Sequence, residues 1–62
     1  LSDREYEVMR LIAQGLSPKE IGEALSISPK TVNSMRDRIL EKMNLTSNAE
    51  IIRYAIQKKL VE

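Results

Sequence analysis

Serine punctuates this chain at the places where a helix can start. Ser2-Asp3-Arg4-Glu5, Ser17-Pro18-Lys19-Glu20 and Ser47-Asn48-Ala49-Glu50 each set a Glu three residues after a Ser. At that spacing the Ser oxygen accepts from a free backbone N–H of the first turn, and the Glu carboxylate reaches back to the Ser N–H. Ser28-Pro29 is a fourth start, with Ser as the cap and Pro at the first helical position. There the missing N–H costs nothing and the fixed φ helps; Pro18 plays the same part in the second helix. An apolar helical period follows every start, so the spacing predicts four helices.

The first helix is expected over about Asp3 to Gln14, with Tyr6, Met9 and Ala13, joined by Val8 and Ile12, as its apolar face. Gly15 then supplies a cheap left-handed ending. The second is expected from Pro18 to Leu25 with Ile21, Ala24 and Leu25 inward. The third runs from Pro29 to about Met43, with Val32, Met35, Ile39 and Met43 on one side and Asn44 as the stop. The fourth runs from about Asn48 to Lys58 and carries Ile51, Ile52, Ala55 and Ile56. Alternating β-branched runs and hairpin turns are absent, so the expected fold class is all-α: a compact four-helix domain.

Size narrows the choice further. The 62 residues suffice for one domain spanning 1–62. A domain of this size buries only about 60% of its unfolded surface. The chain has no Cys and no His. That removes disulfides, thiolate metal sites, the usual general base and the commonest zinc ligand. No Gly-rich phosphate loop is visible either. No enzyme, cofactor or metal is therefore expected. No apolar run approaches the roughly 20 residues needed to span a bilayer, and no secretory signal is visible at Leu1 onward. A cytoplasmic protein with no membrane partner is expected. The chain opens directly on a helix start, as expected of a domain cut from a longer protein whose N-terminal part carries any sensor.

Between the second and third helices lie only Ser26, Ile27 and the cap Ser28. So short a turn forces the helices to cross steeply, the geometry of a helix-turn-helix. Ile27 is the apolar plug of the turn. Gly22, inside the second helix, costs about 1 kcal/mol relative to Ala, which is explained if it lets the third helix approach closely. An ordinary αα corner in a bundle has the same turn, so the turn alone leaves both readings open.

Charge separates them only mildly. The formal net charge is +1, but residues 1–17 carry −1 and the segment Lys30 to Lys42 carries +2. On a wheel of 100° per residue, Lys30, Asn33, Ser34, Asp37 and Glu41 fall outward, with Arg38 beside them and Arg36 on the other flank. The short polar side chains of the opening turns suit the base edges of a major groove. Asn33 matches the N6 and N7 edge of adenine. Lys30 can donate to guanine or phosphate, and Ser34 is permissive. Asp37 can accept from cytosine N4 or simply repel phosphate. The alternative is a plain solvated face. Phosphate contacts would come from Ser17 and Lys19 at the start of the second helix, where free N–H groups and a partial positive charge attract anions. Thr31, Arg36, Arg38 and Lys42 extend that clamp, with local pairing as the alternative for Lys42. On the fourth helix Ile51 and Ala55 share the core stripe. Ala49, Ile52 and Ile56, with Arg53 beside them, form an adjacent stripe expected to be a contact surface.

Nearly the whole chain resembles the DNA-binding domain of the LuxR family, also called the GerE or NarL/FixJ type. The resemblance lies in "LSDREYEVMRLIAQGLSPKEIGEALSISPKTV" and "RILEKMNLTSNAEIIRYA". It is carried by the spacing of Leu1, Arg4, Glu5, Gly15, Ser17, Lys19, Glu20, Ile21, Leu25, Ile27, Ser28, Thr31, Val32, Ile39, Lys42 and Met43. The resemblance implies a third helix in the major groove of double-stranded DNA and promoter binding at paired half-sites. It also implies a homodimer made largely through the fourth helix, with RNA polymerase as a candidate partner. Such domains sit C-terminal to a phosphorylated receiver domain, as in two-component response regulators, or to a small-ligand sensor. Two positions depart from the family pattern. Asn33 stands where Lys is frequent, which changes base preference and weakens phosphate attraction. Met35 stands where His is frequent, on the inner face, where it changes packing.

Two other readings remain open at this stage. Region four of a sigma factor has a similar opening but does not need the fourth capped helix "SNAEIIRYAI". A protein-interaction module that kept the fold and lost the DNA is compatible with the low net charge and with Asp37.

Overall fold

Four serines do start four helices. In the computed structural model, which describes residues 1–58, α1 is Asp3–Ala13, α2 Pro18–Leu25, α3 Pro29–Met43 and α4 Asn48–Gln57. The expected ends of α1 and α4, Gln14 and Lys58, prove to be the capping residues. Ser2 and Ser17 make complete capping boxes: each Oγ accepts from the Glu N–H at 3.2 Å, and Glu5 and Glu20 accept from the Ser N–H at 3.0 and 2.9 Å. The third box is a correction. Ser47 Oγ accepts from Glu50 N, but the Glu50 carboxylate reaches one residue further back, to the N–H and hydroxyl of Thr46. A hydroxyl and an amide offered together by Thr46 outweigh the lone Ser47 N–H. Ser28 accepts from Thr31 N at 3.1 Å, and the two hydroxyls lie 2.9 Å apart.

The three connections share one construction. Gly15, Ser26 and Asn44 have φ of +93°, +60° and +56°. Each is followed by an apolar residue whose N–H bonds a carbonyl five residues back: Leu16 to Leu11 at 3.2 Å, Ile27 to Gly22 at 2.9 Å and Leu45 to Leu40 at 2.8 Å. This is the Schellman pattern, in which a left-handed residue ends the helix and the next side chain folds back onto it. Leu16, Ile27 and Leu45 are half-buried against the core. One or two residues later the next serine cap begins.

α1 is the hub, packed against each of the other three helices, while α2 and α3 pack closely on one another. The core is Val8, Met9 and Ile12 from α1, Ile21 from α2, Val32, Met35 and Ile39 from α3, and Ile51 and Ala55 from α4. Two inward residues were misassigned. Tyr6 is 42% exposed and Ala24 is exposed. On α1 the buried stripe is 5-8-9-12: Val8, Met9 and Ile12 are inward as expected, Ala13 is only half-buried, and Glu5 joins them in place of Tyr6. The position that Tyr6 was expected to hold is taken by a charged residue, Glu5, 3% exposed. Among the described residues no helix is long and apolar enough to cross a membrane.

Candidate nucleic-acid interface

Gly22 decides how α3 stands on α2. A Cβ at Gly22 would lie 2.5 Å from the Ile27 carbonyl oxygen and 3.4 Å from Pro29 N, so backbone occupies the space of a side chain. The Gly22 carbonyl also accepts from both Ser26 N–H and Ile27 N–H. The tight turn thus closes onto the one α2 residue without a side chain, and the first turn of α3 lies directly against α2.

With its inner side fixed by Val32, Met35 and Ile39, and with Leu40 and Met43 half-buried beside them, α3 turns its polar face to solvent. Lys30, Thr31, Asn33, Ser34, Asp37 and Arg38 are all exposed. Arg36 is half-buried: its Nη2 donates to Asp37 Oδ1 at 3.2 Å, and its Nε is buried without an acceptor among the described residues. Arg36 is therefore an anchored cation, not a freely solvated one.

Lys42 was assigned to the phosphate clamp. Its Nζ donates to Glu5 Oε1 at 2.8 Å and Oε2 at 3.1 Å, a link between α3 and α1 and not the local pairing that was the alternative. A buried carboxylate needs such a partner. The Lys42 ammonium, backed by the Ser2 N–H and hydroxyl, holds the Glu5 carboxyl down at about 2. The pair was legible only in part: an acidic residue on the inner stripe of α1 was the signal, but its partner lies 37 residues away.

At the start of α2, Lys19 and Ser17 are exposed. The supply of free amides there is smaller than expected. Pro18 has no N–H, Glu20 N–H goes to Ser17 Oγ, and Ile21 N–H goes to Ser17 O. The Lys19 amide alone remains outside these bonds. The Glu20 carboxyl is lowered below its ordinary value by the Ser17 N–H and hydroxyl, so an ionised carboxylate already sits at this helix end. The donors left uncommitted by these bonds are the Lys19 amide and the Lys19 ammonium; the Ser17 hydroxyl is shared with Glu20.

On α4, Ile51 and Ala55 are fully buried. Ala49, Arg53 and Ile56 are exposed, Ile56 by 60%, and Ile52 is half-buried. Among the described residues no group of three or more carboxylates, Cys or His is placed to hold a metal.

Comparison with known proteins agrees with this geometry. The family described as bacterial regulatory proteins, luxR family, matches residues 1–55. The chain is 47% identical over all 62 residues to the "Oxygen regulatory protein NreC" of Staphylococcus carnosus, covering 29% of that protein. Identity is again 47% over 62 residues to the proteins of that name from Staphylococcus epidermidis and Staphylococcus aureus, of which the chain covers 28% and 29%. The chain thus spans less than a third of the length of these relatives. Helix order, the closed α2–α3 turn and the match across nearly its whole length place the chain in the LuxR family of bacterial regulatory proteins, as the helix-turn-helix DNA-binding domain of a transcription regulator.

Proposed function

We propose that the domain binds specific double-stranded DNA by laying α3 in the major groove, and that it is the output part of a longer response regulator or ligand-sensing regulator. The observation that carries this reading is the division of α3. Three side chains on one side are buried in the core, while six polar side chains in its first three turns are exposed. A helix supported from behind, with short polar groups in front, fits a groove about 12 Å wide. Asn33, Ser34, Asp37 and Lys30 face the bases on this reading. Lys19, Lys30, Thr31, Arg36, Arg38 and the Ser17 hydroxyl meet phosphates on this reading. Lys42 is left out of the clamp because Glu5 holds it.

The exposed Ala49, Arg53 and Ile56, with half-buried Ile52, support a homodimer on paired half-sites, since a two-fold contact uses one patch twice. Promoter binding makes RNA polymerase a partner and the cytoplasm the compartment. The sigma reading loses support because the family match runs into α4 as far as residue 55. The protein-interaction reading is separated by experiment. Incubation with a random duplex pool should give bound DNA whose affinity falls steeply with salt. A chain that retains no DNA at low salt has lost that function, and the proposal fails.

A further inference from the structure

We infer that Arg36 and Asp37 act together as a reader of cytosine, with Asp37 as the acceptor and Arg36 as the residue that positions it. The inference rests on the major-groove reading and specifies one base of the site.

Asp37 follows Asn33 by four residues and Ser34 by three, so it continues their outward stripe into the third turn of α3. Its side chain is 69% exposed. A bare carboxylate on a surface that approaches phosphate weakens binding unless it meets a donor. The major groove offers two kinds of donor, the exocyclic amines of cytosine and adenine. Adenine places its N7 acceptor next to that amine, which opposes a group that can only accept. Cytosine has no such neighbour on its own ring, so a carboxylate selects it.

Selection also requires that the carboxylate point one way. Adjacent helical residues are 100° apart and do not normally face each other. Here the Arg36 guanidinium reaches round from its flank and binds Asp37 Oδ1, leaving Oδ2 unengaged. Arg36 cannot swing freely, because its side chain is only 36% exposed and its Nε is buried. A guanidinium has five N–H donors. One on Asp37 leaves others for a phosphate beside the base, and the pair as a whole carries no net charge to repel the backbone.

The test is selection from a random duplex pool by the chain and by its Asp37→Asn, Asp37→Ala, Arg36→Met and Arg36→Lys variants, each checked for folding by circular dichroism. For the unaltered chain one column of the half-site should prefer cytosine by at least about tenfold. Asp37→Asn should move that column to adenine, because an amide matches the N6–N7 edge. Asp37→Ala should leave it without preference. Arg36→Met should weaken the preference about two- to fivefold, the worth of an exposed pair, with the Asn33 column unchanged. Arg36→Lys should weaken it equally while keeping the salt dependence, which separates orientation from simple charge. An enriched pool with the same columns for the unaltered chain and Asp37→Asn overturns this proposal alone. An unchanged column in Arg36→Met overturns the positioning role. A pool with no enrichment overturns the major-groove reading and this inference with it.

Discussion

Lys42 Nζ lies within 2.8 and 3.1 Å of the two Glu5 carboxylate oxygens, tying the last turn of α3 to the first turn of α1. The same Glu5 Oε1 accepts from the Ser2 N–H at 3.0 Å. One carboxylate therefore fixes both a helix start and the far end of the helix proposed to read DNA.

The first prediction follows from that double role. Glu5 ionises near 2 in the folded chain against an ordinary 4.5. A depressed carboxyl stabilises the fold above its unfolded value and loses that contribution as pH falls through the folded one. The melting temperature should therefore drop between pH 4.5 and about 2, and Glu5→Gln should be less stable near neutrality. The two melting curves should converge at the acid end. Curves that stay parallel across that range would show that the ion pair contributes nothing.

Salt dependence sorts the cations. Replacing Lys19, Lys30 or Arg38 by Ala should each flatten the plot of log affinity against log salt by about 0.9, the share of one phosphate contact. Lys42→Ala should leave the slope as it is and lower the melting temperature instead. A slope reduced by Lys42→Ala would mean that DNA draws the ammonium away from Glu5.

Gly22→Ala pits two effects against each other. Helix propensity favours Ala by about 1 kcal/mol. A Cβ 2.5 Å from the Ile27 carbonyl must push backbone, not a side chain, aside. Overpacking of this kind costs about 1–3 kcal/mol, so the variant should be net destabilised by denaturant titration and should bind DNA poorly even when folded. A variant more stable than the original would show that the turn has slack.

Asn33→Ala should lower affinity for the selected operator by about 1–3 kcal/mol and leave non-specific binding nearly unchanged. Equal losses on both kinds of DNA would remove Asn33 from the base readers.

For the α4 stripe the exposed Ile56 gives the cleanest variant. Ile56→Glu should keep the helical circular dichroism signal and abolish cooperative binding to a two-half-site duplex. The free chain should remain monomeric, since one short helix per partner buries well below the roughly 1,200 Å² of stable interfaces. Ile52→Glu should act in the same direction with some loss of stability, because Ile52 is half-buried. Undiminished cooperativity in both variants would place the dimer contact elsewhere.

Much of the fold was readable because helix starts are local. A Ser, a Glu three residues on and an occasional Pro carry their own geometry, and all four helix starts follow from them. What was misread depended on distant or backbone partners. Tyr6 and Glu5 differ by one position on the α1 wheel, and apolar content alone favours Tyr6; Lys42, far along the chain, reverses the choice. Ser26 adopts a left-handed conformation that Gly or Asn adopts more readily, so the turn was read from its shortness and from Gly22 and Ile27, not from the residue that bends. The outward face of α3 was recovered from periodicity, whereas the Arg36–Asp37 bond joins neighbours that a wheel places apart.

The repeated connector has a consequence for how a signal can act on such a domain. At Gly15-Leu16, Ser26-Ile27 and Asn44-Leu45 the amide after the bend is bonded backwards and its side chain is seated on the core, and the next cap begins within two residues. Each of the three joints is tied both by its backbone and by a side chain. A regulatory input arriving from outside would have to break these ties to reshape α3, whereas covering or uncovering this body, or bringing two copies into register, leaves them intact. Amide exchange along α2 and α3 should accordingly be the same in the silent and the active state of any regulator that carries it.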